Sequence, residues 1–251
     1  MKLGARLVRP RRGIPNIASI VKLRGGTQPP ATYDFDTALG TGGQPLHPPT
    51  QMDIFGNAQY GDCVIAARAN HTLRLAYRAG QQIDPQEVTN EYIAENEAEN
   101  GGSFMDNGLS LPDSLERWRT NGWAAAGTSG RTIQSYPRVS WQNPDDLRAV
   151  LYNDLGIQIA VALPVGLNVV GSFGPGNPWT NTSAETNGGH AFLLIGYDAN
   201  GPIGITWGVY QNLSWDWLDT FCTDAYAVIP DANTIKNFGV KRTGGRRREA
   251  R

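Results

Sequence analysis

The chain has 251 residues, and 22 Lys+Arg against 23 Asp+Glu leave a formal net charge of −1. That balance excludes nucleic-acid binding or attraction to an anionic membrane as a property of the whole molecule. Hydrophobic residues at 40% and charged residues at 18% suit a globular chain that buries a core, and no apolar run reaches the roughly 18 residues a membrane-spanning helix needs.

Residues 1–32 are basic and carry Pro and Gly with little periodicity, as in Arg9-Pro10-Arg11-Arg12 and Arg24-Gly25-Gly26, and read as a solvated arm. Residues 1–15 lack the apolar stretch of a secretory signal. Val64, Ile65, Ala67, Leu73, Leu75 and Ala76 predict a helix with a broad buried face after Cys63, closed by Gly80. Asp84-Pro85-Gln86-Glu87 is the start of a second helix: a capping Asp, Pro in the first turn and Glu three residues on. Its polar continuation, Glu95 to Gly102, reads as a loop. A third helix is predicted from Ser110-Leu111-Pro112-Asp113 to Asn121-Gly122, and a fourth from Asn143-Pro144-Asp145-Asp146. The fourth leads into Ile157–Leu163, a strand of the buried type.

Gly166 to Gly189 is a long Gly/Pro/Asn/Thr loop, of the kind that is uncommon unless functional or mobile, and is expected to wall a cleft. His190–Tyr197 and Ile203–Trp207 read as neighbouring strands joined by a turn at Asp198-Ala199-Asn200-Gly201, and Ala225–Ile229 as a last strand. Residues 231–251 end in Gly244-Gly245-Arg246-Arg247-Arg248, a basic tail expected to be disordered alone. No internal repeat is present. A helical half followed by a strand-rich half places the chain in the α+β class.

The chemistry concentrates at two points. Cys63 opens the first long helix, directly after Gly61-Asp62, and His190 opens a buried strand about 130 residues later, after Gly188-Gly189. A thiol becomes a good nucleophile when a helix N-terminus or a neighbouring imidazole lowers its pKa or takes its proton. Each residue also has a plainer reading, Cys63 as a core thiol and His190 as a satisfied core histidine. Cys222, in Leu218-Asp219-Thr220-Phe221-Cys222, reads as a packed core thiol, and two unpaired cysteines fit an intracellular setting. His47 lies in a Pro-rich loop, and His71 lies two turns along the helix from Cys63, out of its reach. Three histidines and two cysteines form no metal motif, so no metal and no cofactor are expected.

Asn57-Ala58-Gln59-Tyr60-Gly61-Asp62-Cys63, His190-Ala191-Phe192-Leu193-Leu194-Ile195-Gly196-Tyr197 and Ile205-Thr206-Trp207-Gly208 occur in one order. Together they resemble the papain-like cysteine peptidases, closest to the divergent bacterial and phage branch with Gly-Asp-Cys. That family writes Gln-Gly-x-x-Gly-Ser-Cys, His-Ala-Val-x-x-x-Gly-Tyr and Asn-Ser-Trp-Gly. The resemblance spans 33–230 and implies a two-lobed fold, a helical lobe carrying the nucleophile helix against an antiparallel β-sheet or barrel lobe. Tyr33-Asp34-Phe35-Asp36 resembles the short strand ahead of the nucleophile.

The resemblance also assigns roles. Cys63 is the nucleophile, His190 the base, Asn57 the oxyanion donor with Gln59 as a second candidate, and Trp207 the shield of His190. Ile205 stands where the family keeps the Asn that orients its imidazole. Thr206 has a hydroxyl, but strand alternation points it away from the Trp207 face. Asp198 and Asp216 are further candidates for the orienting part. Trp215 and Trp217 belong to a substrate wall or to the core.

Two functions follow. The first is a cysteine peptidase-like hydrolase acting on a peptide or protein substrate. The second is a catalytically degenerate papain-fold protein kept for its surface, such as a phage virion component meeting protein partners through its basic arms. Ile205, the lack of an inhibitory propeptide and the basic arms favour the second. The expected location is the cytoplasm of a bacterial host or a virion, with neither membrane nor nucleic acid as a partner.

Overall fold

The computed structural model describes residues 1–7, 14, 28–39, 48–76, 83–122, 132–153 and 155–230. His47, the Gly80 helix end, most of the basic N-terminal arm and the 231–251 tail lie outside these residues.

The helical half comes first. A two-residue strand β1 (Ala5–Arg6) is followed by β2 (Tyr33–Asp34) and a short helix α1 (Phe35–Leu39), so the expected strand at Tyr33–Asp36 ends after two residues. A 3-10 turn at Gln51–Ile54 leads to α2 (Cys63–Ala76). The next helix, α3 (Pro85–Glu99), starts as its sequence dictates. Asp84 accepts the Gln86 N–H at 2.9 Å, and Pro85 takes a first-turn position where no N–H is needed.

The loop expected from Glu95 is helical to Glu99. Two of its polar residues are buried and bonded, not solvated: Glu95 meets Arg68 of α2 at 2.7 Å, and Asn96 Nδ2 donates to Asn107 Oδ1 at 2.9 Å. Asn100 closes the helix with its N–H on the carbonyls of Asn96 and Glu97. After β3 (Leu109–Ser110), α4 (Leu111–Asn121) is capped by Ser110 and ends at Gly122, whose φ of 83° suits glycine. Next come β4 (Ile133–Ser135) and α5 (Pro144–Tyr152), the latter capped by Asn143.

The strand-rich half holds β5 (Ile157–Pro164), β6 (Thr186–Tyr197), β7 (Pro202–Thr206), β8 (Val209–Asn212), α6 (Trp215–Phe221), β9 (Cys222–Ala227) and β10 (Ile229–Pro230). The main sheet runs β8-β7-β6-β5-β9, antiparallel at every step, with β2 also pairing with β6, and β10 pairs with β4. Among the described residues this sheet is open, so the sheet alternative is the one adopted. No described helix is long and apolar enough to cross a membrane.

Alternation along β6 divides the core. Ala191 shares a buried cluster with Cys63, Val64 and Ile65 of α2, while Leu193 and Ile195 pack with Phe35 and Ile205. Phe192 and Leu194 enter the opposite cluster with Trp179, Trp207 and Trp217. Full burial of such side chains stabilises the fold by about 1.5–3 kcal/mol each. Arg68, Asn70, His71, Thr72 and Arg74 of α2 are buried as well, so this helix is enclosed beyond its apolar face. Arg74 meets Asp36 at 2.9 Å, and the Tyr210 hydroxyl donates to the same Asp36 oxygen at 2.8 Å, tying α2 to α1 and β8.

Candidate active site

Cys63 is the first residue of α2, buried, with Ala191 directly opposite: the Ala191 N–H donates to Sγ at 3.3 Å. The Gly4 N–H, whose hydrogen bond goes to the Gly189 carbonyl, is a second backbone dipole near the sulfur. Burial pushes the thiol up to about 12; the two N–H groups act against this, and neighbouring Asp62 adds to it. The helix N-terminus therefore does not yield a resting thiolate. Asp62 is itself pushed up to about 8 by burial, with neither carboxyl oxygen hydrogen-bonded among the described residues, so it is mostly protonated at pH 7. A Cβ at residue 56 would lie 2.5 Å from Asp62 Oδ2, so a larger residue there would displace the Asp62 side chain.

His190 is buried on β6 opposite Val161 of β5; it does not open this strand, which begins at Thr186 inside the expected 166–189 loop because Thr186 and Gly189 already pair with Pro164 and Ala162. Its Nε2 lies 2.6 Å from Thr206 Oγ1, while Nδ1 is buried without a hydrogen-bond partner. The ring stacks on Trp207, centroids 4.2 Å apart and planes 18° apart, and on Phe192 at 5.7 Å. Burial pushes the imidazole down to about 3, so it is uncharged at neutral pH.

The Thr206 contact departs from the alternation argument for a reason visible in the backbone. Trp207 has φ of 47° and Gly208 of 72°, forming a two-residue hairpin turn between β7 and β8. Alternation therefore stops at Thr206, and the turn folds the Trp207 ring back over the face that Thr206 shares with His190. Ile205, at the family's orienting position, points to the other face and packs with Leu193 and Ile195.

Asn57 is buried, and its Nδ2 donates to the Tyr60 carbonyl at 3.2 Å and the Lys2 carbonyl at 3.4 Å. Gln59 is exposed on the same turn. Asp198 Oδ1 accepts the Asn200 and Gly201 N–H groups and so caps its own turn, and Asp216 is exposed on α6. Neither orients His190. His71 is buried with its ring edge toward Trp118, and Cys222 Sγ donates to the Asp224 carbonyl at 3.3 Å in the core. Trp217 belongs to the core, against Trp179 at 5.0 Å; Trp215 is partly buried beneath Arg148. Among the described residues no three His, Cys, Asp or Glu side chains converge to hold a metal.

Two neighbours of the thiol were not legible in the motifs. One is the Ala191 N–H, a backbone group that sequence does not advertise. The other is residues 1–7, expected as solvated arm but seated against both halves of the molecule: Ala5 pairs with Leu109, and the Gly4 N–H donates to the Gly189 carbonyl at 3.1 Å.

No protein-family model and no curated protein sequence matches the chain. Solved structures do. Xylellain, a cysteine protease from Xylella fastidiosa, is 16% identical and superposes with a TM-score of 0.63, over 90% of this chain and 95% of that one. Procathepsin B S9 from Trypanosoma congolense follows at 11% identity and a TM-score of 0.61, covering 91% and 86%. Digestive procathepsin L2 from the Tenebrio molitor larval midgut stands at 15% and 0.60, covering 91% and 78%. The fold is papain-like. Within the papain-like fold this chain keeps the helix opened by Cys63 packed against an antiparallel sheet, at identities that speak to architecture alone.

Proposed function

We propose that the chain is a papain-like cysteine hydrolase, acting on peptide or isopeptide bonds, with Cys63 as nucleophile and His190 as base. The observation that carries this reading is the state of His190. Its Nε2 is engaged by Thr206 Oγ1 and its Nδ1 is unpartnered. With Nε2–H donating to Thr206, the Nδ1 lone pair is free to accept a proton.

In that mechanism the Cys63 proton moves to His190 Nδ1, and Sγ attacks the substrate carbonyl carbon. The oxyanion takes hydrogen bonds from the Cys63 backbone N–H and Asn57 Nδ2. The amine leaves with the proton from His190, and water, deprotonated by the same imidazole, hydrolyses the thioester. Trp207 excludes water from the stacked imidazole. Cys63 and His190 are each neutral at rest, which favours proton transfer concerted with attack over a preformed ion pair.

The same burial favours a second reading. A thiol and an imidazole both held neutral are also what an idle site contains, as in a papain-fold assembly protein, for example a phage virion component whose basic arms meet protein partners. The test is cleavage of a peptide library by the wild-type chain beside Cys63→Ala. Cleavage lost in the variant supports the hydrolase; none in either, or equal cleavage in both, contradicts it. On either reading the setting is the cytoplasm of a bacterial host or a virion.

A further inference from the structure

Just ahead of Cys63, one peptide unit joins two side chains that the sequence keeps far apart. The Tyr60 carbonyl accepts Asn57 Nδ2 at 3.2 Å, and the N–H of the same unit, on Gly61, donates to Asp106 Oδ1 at 2.8 Å. The amide of Asn57, assigned above to the oxyanion, is therefore anchored through one N–H on a carbonyl whose plane Asp106 sets. Its other contact, to the Lys2 carbonyl, is long for an N–H donor at 3.4 Å. Gly61 and Asn57 are both buried, so a bond lost here leaves a polar group unpaired and not solvated.

Asp106 is itself held from α3. The hydroxyl of Tyr92, a fully buried residue, donates to Oδ1 at 2.8 Å and accepts the Gly108 N–H at 3.1 Å. Asn96 fixes the residues on either side, its Oδ1 taking the Met105 N–H at 2.8 Å and its Nδ2 donating to Asn107 Oδ1. The carboxylate thus reaches Gly61 from residues tied to a helix. A Cβ on Gly61 would lie 3.1 Å from Asp106 Oδ1 and crowd it. Burial acts to raise Asp106, but Lys2, the Gly61 N–H and the Tyr92 hydroxyl outweigh it and hold the carboxyl below its usual range. It is charged at neutral pH, so its bond to Gly61 is of the stronger, charge-assisted kind. The Lys2 ammonium on Oδ2 is half exposed, and the hold on the turn comes from the buried side, Gly61 and Tyr92.

We propose that Asp106 is a positioning residue for the oxyanion site, fixing the Tyr60–Gly61 peptide and through it the aim of Asn57 Nδ2. The proposal rests on the hydrolase reading for its catalytic consequence. Asp106 touches no reacting atom in that mechanism. Once the peptide is released, the Tyr60 carbonyl turns and the Asn57 amide follows it, while Sγ and the His190 ring keep their own contacts with Ala191 and Thr206. An oxyanion donor works by being preorganised, and a misplacement of about 1 Å can cost about 10²-fold in rate. The loss therefore falls on the chemical step and not on substrate binding.

The experiment compares Asp106→Ala, Asp106→Asn and Tyr92→Phe with wild type in the full chain. Asparagine keeps an oxygen for the Gly61 N–H and is the conservative replacement. Tyr92→Phe keeps the carboxylate and removes its anchor, a milder lesion in the same chain of bonds. In peptide turnover, Asp106→Ala is expected to lower kcat about tenfold or more with KM within about twofold. Asp106→Asn should recover most of that loss, and Tyr92→Phe should lose less than alanine. Amide signals of the isotope-labelled chain give a readout independent of activity. Hydrogen exchange at Gly61 is expected to quicken about tenfold or more in Asp106→Ala, with a shift of the Asn57 side-chain amide signals. Both changes should be reversed in Asp106→Asn. Equal kcat in Asp106→Ala and a cleaving wild type would overturn the proposal. So would unchanged Gly61 and Asn57 signals, or equal losses in the alanine and asparagine variants. A wild type that cleaves no peptide removes the hydrolase, and the amide signals then decide by themselves whether Asp106 sets the aim of Asn57.

Discussion

His190 has one nitrogen held and one nitrogen free, and Thr206 decides which. Replacing Thr206 by Val keeps the shape and removes the hydroxyl, leaving Nε2 buried without a partner. Such a loss costs about 1–3 kcal/mol of stability. In kinetics it is expected to lower kcat about tenfold or more with KM little changed, since general-base catalysis is worth about 10²–10⁴. Thr206→Ser should restore most of the rate, and equal rates for Val and Ser would remove Thr206 from its positioning role.

Asp62 carries a separate signature. Its folded pKa is raised by burial to about 8, against about 3.9 in the unfolded chain. Between those values the folded chain keeps a proton the unfolded chain has released. Its contribution to stability is full below pH 4 or so and is lost as pH rises toward 8, at up to about tenfold in the unfolding constant per pH unit. Urea unfolding at about pH 5 and about pH 8 is expected to show this loss in wild type and a much smaller one in Asp62→Asn. Identical pH slopes in the two would contradict the assignment.

At the scale of elements, the β7–β8 hairpin and α2 place the site. The turn at Trp207-Gly208 sets both the hydroxyl and the ring against His190. Gly208 has φ of 72°, and a Cβ there would collide with the Thr50 carbonyl. Gly208→Ala is expected to cost about 1–3 kcal/mol in thermal or urea unfolding and to disturb the Trp207–His190 stack. An unchanged midpoint would mean that the turn relaxes freely.

This hairpin also shows where reading from sequence stops. Alternation gave Ile205 and Thr206 opposite faces, which the structure has, but it carried the pattern one residue too far, into a turn of positive φ. A Trp at the first turn position hides that turn, because Asn or Asp is the usual signal. Helix starts at Asp84, Ser110 and Asn143 were legible because a capping side chain and a following Pro act locally. The extension of α3 through Glu95 and Asn96 was not. Its stability comes from Arg68, Asn107 and Gly108, partners distant in sequence.

For the whole molecule, the three motifs carried the architecture: a helix opened by Cys63, a strand that carries His190, though it starts four residues earlier at Thr186, and the space between them. The occupant of that space was illegible, since nothing in the composition of residues 1–7 marks backbone pairing with Leu109 and Gly189. The measurement that tests the hydrolase reading most directly is turnover of quenched fluorescent peptides by the wild-type chain, beside Cys63→Ala and His190→Ala. Turnover in wild type that is lost in both variants is the predicted result. No turnover in wild type, or equal turnover in the variants, would contradict the account and leave a papain-like fold whose site is idle.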